Sequence, residues 1–180
     1  MPPALSVTSP QPTLGLQRIA PLAMLAVAVA ALSTAYVAQY AYGLEPCVLC
    51  LWQRGPYGAV ILLSMAALLL GSGPQGMRRV ALFVGLGGLA FLIGGGIAFY
   101  HVGVEQHWWA SITGCSGGPP AVMTVDDLRA ALAAPPPKAC DAIDWTFAGL
   151  SMASWNALLS PLFASAAGVA GLRLLKRTRP

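Results

Sequence analysis

Apolar residues fill this chain in four long blocks, and charged residues interrupt them only at their ends. No Asp, Glu, Lys or Arg occurs between Arg18 and Glu45, between Arg54 and Arg78, between Arg79 and Glu105, or between Asp144 and Arg173. Each interval exceeds the roughly 20 residues that an α-helix needs to cross about 30 Å of hydrocarbon. The pattern predicts membrane-spanning helices near residues 19–41, 56–73, 80–101 and 154–174. The apolar run from Ile19 to Ala38 is longer than the roughly 7–15 residues of a signal-peptide core, so it is expected to remain as a span. The Pro-rich start, 1–17, reads as a disordered tail and 176–180 as a basic one, which leaves 18–175 as one membrane domain.

Composition strengthens this reading. Of 180 residues, 57% are apolar and 9% charged, against about 25% charged in an ordinary soluble domain. A water-soluble globule is therefore disfavoured, and so is a disordered chain, which would be poor in apolar residues and rich in charge. The small excess of basic residues sorts by side. Arg18, Arg78, Arg79, Arg173, Lys176, Arg177 and Arg179 fall on one face of a four-span arrangement. All six acids (Glu45, Glu105, Asp126, Asp127, Asp141 and Asp144) fall on the other, with only Arg54, Arg129 and Lys138. An excess of Lys and Arg marks the cytoplasmic face. Both termini are thus expected inside, and loops 42–55 and 102–153 outside. The basic excess is explained by orientation, and no nucleic-acid partner is expected. No acid or base lies mid-span, which disfavours a proton- or ion-coupled transporter. Glycines 85, 87, 88, 94, 95 and 96 and the small residues from Ala164 to Gly171 would let helix backbones approach closely. The expected fold is all-α, a polytopic four-transmembrane-helix bundle with two outward loops.

The chemistry lies in those loops, which hold all four cysteines. In a bacterium the outer side is oxidising, and disulfides persist there. Two structural disulfides are the plain reading of such a set. Cys47-Val48-Leu49-Cys50, however, closes too short a loop to stabilise the chain much, and so tight a ring favours a bond that opens and re-forms. One or both sulfurs would sit near a helix N-terminus, where unpaired N–H groups favour thiolate. Arg54, one turn after Cys50, adds positive charge on that side, although snorkelling to head groups would also explain it. A zinc cage usually draws its ligands from two short knuckles. Cys115 and Cys140 are far apart in sequence, and no metal is expected.

Gly114 to Pro120 and Pro135 to Pro137 break regular structure, so the segment 115–140 reads as a mobile loop. Inside it, 124–134 reads as a short helix with Thr124 and Asp127 forming a capping box. Its face of Val125, Leu128 and Leu132 would lie on the bilayer surface. A disulfide in such a loop is expected to be exposed to a protein partner. Trp108 and Trp109 fit an aromatic belt at the outer interface.

Two stretches carry a family resemblance: Pro46-Cys47-Val48-Leu49-Cys50-Leu51-Trp52-Gln53-Arg54, and Cys140-x4-Trp145-x-Phe147-x-Gly149-Leu150-x-Met152-x2-Trp155. In a four-span protein, they resemble the disulfide bond formation protein B (DsbB) family of thiol–quinone oxidoreductases of the bacterial inner membrane, over about residues 19–175. The resemblance implies that Cys115 accepts attack from a periplasmic thioredoxin-fold oxidase of the DsbA type. Cys140 would be its loop partner and relay to Cys47, and Cys50, as thiolate, would pass electrons to ubiquinone or menaquinone. Arg54, His101, Trp145 and Trp155 would contribute to the quinone site, with His101 equally readable as an interfacial histidine. Gln53 stands where this family often has an acid, the stretch after Cys115 departs from the family's pattern, and His107 receives no role. A vitamin K epoxide reductase-like enzyme is a rival, but there the loop pair normally precedes the CxxC. A membrane protein whose disulfides only brace its loops is the non-enzymatic alternative.

Overall fold

Four apolar blocks become four helices because no water is available inside a bilayer to satisfy a broken backbone, so each block closes its own hydrogen bonds. The computed structural model describes residues 15–115, 124–126, 129 and 138–178. The helices are α1 (Leu16–Ala41), α2 (Val48–Leu70), α3 (Gly76–Glu105) and α4 (Met152–Arg177), each long and apolar enough to cross a membrane. A two-stranded antiparallel hairpin, β1 (Thr146–Phe147) with β2 (Leu150–Ser151), leads directly into α4. Its turn is Ala148–Gly149, both at positive φ (51° and 78°), the backbone that two-residue hairpin turns need. Most of the expected tail 1–17 and of the expected helix 124–134 lies outside the described residues.

The helix ends depart from the expected ones in a way that shapes the site. α2 begins at Val48 rather than near 56, since Pro56 is accommodated within the helix. α3 runs on to Glu105, four residues past the expected end at 101, and the chain leaves it through His107, whose φ is 58°.

α3 is the central helix, packed between α2 and α4. Its glycines allow this. A Cβ built on Gly88 would lie 3.1 Å from Ala167 Cβ of α4, one on Gly95 3.1 Å from Ser160 Cβ, and one on Gly94 3.2 Å from Pro56 Cβ of α2. Gly87 abuts Met24 of α1, whereas Gly85 and Gly96 face open space. The core around these contacts includes Val60, Val84, Phe91, Ala167 and Leu174. Phe91 meets Tyr57 edge-on and Phe163 at a tilt. A second buried cluster sits at the end of the bundle where the loops emerge, and it contains three of the four cysteines together with Leu49 and Val104; Cys50 packs against it.

Candidate functional site

Pro46 precedes an extended residue, Cys47, which caps α2 from outside: its Sγ accepts the backbone N–H of Cys50 at 3.2 Å. The first turn of a helix has unpaired N–H groups, and a sulfur placed there gains most as an anion. Cys50 lies within that turn with its Sγ 2.9 Å from Cys47 Sγ, and His101 Nε2 stands 3.6 Å from the same Cys47 sulfur. The Cys50 thiol is the largest cause that brings the Cys47 thiol down from 9.0 to about 4, with burial opposing and His101 assisting. The helix end thus activates Cys47 directly, with the Cys50 sulfur beside it.

Cys115 and Cys140 are joined as a disulfide. It is not exposed as the loop composition suggested: Cys115 is 7% and Cys140 1% accessible. The burial has local causes. Cys140 N–H donates to the Cys115 carbonyl at 2.7 Å, the hydroxyls of Ser111 and Thr113 lie 3.1 and 2.9 Å from Cys115 Sγ, and Leu49 and Val104 share the same cluster. The Gly/Pro-rich sequence around Cys115 therefore leads into a clamped pair.

His101 joins the two cysteine pairs. Its Nε2 is 3.6 Å from Cys47 Sγ and 3.1 Å from the Cys140 carbonyl, and the ring is buried. Glu105, one turn on, places Oε1 3.9 Å from Nε2, and its Oε2 accepts the Ser151 hydroxyl at 2.5 Å. Ser151 also caps α4 by accepting the N–H of Ser154. On the other side of the ring, Gln53 Nε2 meets His101 Nδ1 at 2.9 Å, and Gln53 Oε1 accepts from Asn156 Nδ2 at 2.6 Å. Asn156 Oδ1 in turn accepts the hydroxyls of Tyr57 (2.6 Å) and Ser160 (2.7 Å). Glu105, Asn156, Tyr57 and Ser160 had no place in the sequence reading of the site. A signal for them exists: Gln53 and Tyr57, His101 and Glu105, and Asn156 and Ser160 are each four residues apart, so each pair puts two polar groups on one face of an apolar helix.

Beside these groups a cavity of about 440 Å³ opens, lined by Cys47, Cys50, Arg54, His101, Trp145 and Trp155 with apolar residues of α1 and α4. All four residues expected to serve a cofactor are thus brought to one space. Arg54 is held by α1: it donates to Gln39 Oε1 at 2.7 Å and lies 4.8 Å over the Tyr36 ring. The cation expected beside Cys50 therefore has its partners on α1. Trp145 stacks on Phe147 of the hairpin, and Trp155 Nε1–H donates to the Phe147 carbonyl at 3.0 Å. Trp108 and Trp109 gather instead around Phe99. His107 pairs with Asp141 at 3.7 Å, next to Cys140. The donor atoms of Cys47, Cys50 and His101 lie within 4.8 Å of one another, a grouping compact enough for a metal ion.

Comparison with known proteins adds the family. The profile described as "Disulfide bond formation protein DsbB" matches residues 17–170. A disulfide bond formation protein B of Aromatoleum aromaticum is 33% identical over 151 residues, covering 79% of this chain and 85% of the relative. One from Azoarcus sp. is 34% identical over 143 residues, covering 76% and 81%, and one from Xanthomonas campestris pv. campestris is 34% identical over 134, covering 69% and 73%. No solved structure gives a significant match. With a four-span bundle, a capped CxxC and a second cysteine pair packed against it, the chain belongs to the DsbB family of disulfide-bond-forming membrane proteins.

Proposed function

We propose that this protein reoxidises a thioredoxin-fold dithiol oxidase of the DsbA type and passes the electrons to a membrane quinone. The observation that carries the proposal is that His101 touches both cysteine pairs, while Cys50 of the inner pair lines the cavity. Each step is attack of a thiolate on a disulfide sulfur. The partner's thiolate attacks Cys115, forming a mixed disulfide and releasing Cys140 as thiolate. Cys140 attacks Cys47 and displaces Cys50. The partner's second thiol then attacks the mixed disulfide, leaves the partner oxidised and frees Cys115. Cys115 attacks Cys140, restores the outer bond and releases Cys47, which the helix end and Cys50 hold as thiolate. The net result is two electrons moved from the partner dithiol to the inner pair.

The cavity suits a quinone: its volume is in the range of small-molecule sites, and mostly apolar walls with a few polar groups are typical of them. His101, Arg54, Trp145 and Trp155 would hold the ring and its oxygens. A bound quinone would supply the two-electron acceptor that amino-acid side chains lack. The charge asymmetry supports placing the cysteines on the periplasmic side of a bacterial inner membrane with both termini in the cytoplasm.

The test is quinone reduction by the purified full-length protein with a reduced thioredoxin-fold dithiol protein. Cys47→Ala and Cys50→Ala are expected to abolish quinone reduction, and Cys140→Ala to accumulate a partner adduct on Cys115. Turnover retained in either inner-pair variant would sink the proposal.

A further inference from the structure

The polar chain behind His101 has a direction. An amide offers one accepting oxygen and one donating nitrogen. Asn156 spends its oxygen on two hydroxyls, from Tyr57 and Ser160, and turns its NH2 to Gln53 Oε1. With its oxygen occupied, Gln53 presents its NH2 to His101 Nδ1 at 2.9 Å. A donor there requires an acceptor, so Nδ1 carries no proton and the neutral ring bears it on Nε2. The opposite edge agrees, since among the described residues Nε2 faces the Cys140 carbonyl at 3.1 Å and Glu105 Oε1 at 3.9 Å, which accept, with Cys47 Sγ at 3.6 Å.

We propose that Gln53, set by Asn156, is a positioning residue that selects the Nε2–H form of His101 and so aims its proton into the gap between the two cysteine pairs. A carboxylate at position 53 would give the opposite instruction. It has no proton to donate, so it would draw one onto Nδ1. The choice between an amide and an acid at position 53 therefore decides which ring nitrogen is protonated. The use of the proton rests on the relay proposed above. When Cys115 attacks Cys140, the new bond joins these two, the Cys140–Cys47 bond breaks and its electron pair stays on Cys47 Sγ. Nε2–H then faces that growing charge and remains on the ring. The tautomer itself follows from the Cys140 carbonyl, which can only accept from Nε2, and from the amide chain that matches it at Nδ1.

The chain has two histidines, so His107→Gln leaves His101 as the single ring to observe. In the full-length, reduced protein in nanodiscs, 15N spectra of labelled histidine are expected to show bare Nδ1 and protonated Nε2. Gln53→Glu is expected to put a proton on Nδ1. Gln53→Met, which keeps the side chain's length without a donor, is expected to give a mixture of the two forms. It should also slow oxidation of a thioredoxin-fold dithiol by about tenfold, less than the roughly 10²–10⁴-fold of a group that itself transfers a proton. Protonated Nδ1 in the parent, or a Gln53→Glu spectrum like the parent's, overturns the assignment. A mixed tautomer in Gln53→Met with an unchanged rate overturns its role. If the parent shows the expected tautomer yet oxidises no dithiol partner, the relay falls while the assignment of the ring stands.

Discussion

Cys47 gathers three polar neighbours on one sulfur: the Sγ and N–H of Cys50 and the ring edge of His101. With its thiol brought to about 4 from 9.0, the sulfur is the thiolate of the reduced pair across the neutral range. Alkylation of the reduced protein is expected to stay fast at Cys47 down to near pH 5 and to fade towards pH 4, while the unfolded chain loses reactivity some units higher. His101→Leu should move that fading point upward. Since the folded value is depressed, the thiolate's contribution to stability is complete above pH 9, shrinks as the pH falls and is gone below about 4. Denaturant titrations of the reduced protein against Cys47→Ser should converge along that path. Divergence towards acid would contradict it. At this scale the sequence was legible for residues whose type announces chemistry: the cysteines, His101, Arg54 and the two tryptophans. It was silent on Asn156, an ordinary polar residue whose partner Gln53 lies 103 positions away, because only the packing of α2 and α4 on α3 brings them within reach.

Among the elements, the spans could be read because a bilayer admits so few alternatives, and their ends could not because caps decide them. The apolar pattern places the span from about 56, whereas the helix starts at Val48, Cys47 supplies its cap and Pro56 sits inside. The hairpin escaped notice because it is two residues a side, set by Ala148 and Gly149 at positive φ rather than by a periodic pattern. The glycines of α3 were read as one packing surface, and they divide. Gly88 is pressed against Ala167 and the Ala164 carbonyl, while Gly96 meets nothing within 4 Å. Gly88→Leu should therefore force α3 and α4 apart and lower stability by about 1–3 kcal/mol, the usual range for overpacking. Gly96→Leu should be close to neutral. Thermal unfolding in detergent separates the two, and equal losses would show that the α3–α4 approach is not set at Gly88.

Across the whole molecule, both sulfur pairs meet at one end of the bundle, where the ends of α2, α3 and α4 and the hairpin converge. That arrangement was anticipated only through family resemblance, since no local pattern tells that two loops far apart in sequence will pack together. Its most consequential detail is the seal over Cys115 and Cys140, at 7% and 1% accessibility. Exchange requires collinear access to a sulfur, so an encounter by a small solute rarely succeeds, whereas a protein that grips the surrounding loop can expose the bond while it binds. Glutathione should reduce this bridge far more slowly in the folded protein than in urea. Paired loss of the flanking hydroxyls (Ser111→Ala with Thr113→Val) should narrow the gap. Equal rates in the two states would mean that the seal has no kinetic effect. In the relay proposed above, an oxidant built this way would be insulated: its driving force would not leak into the abundant monothiols around it and would be kept for clients large enough to open the door.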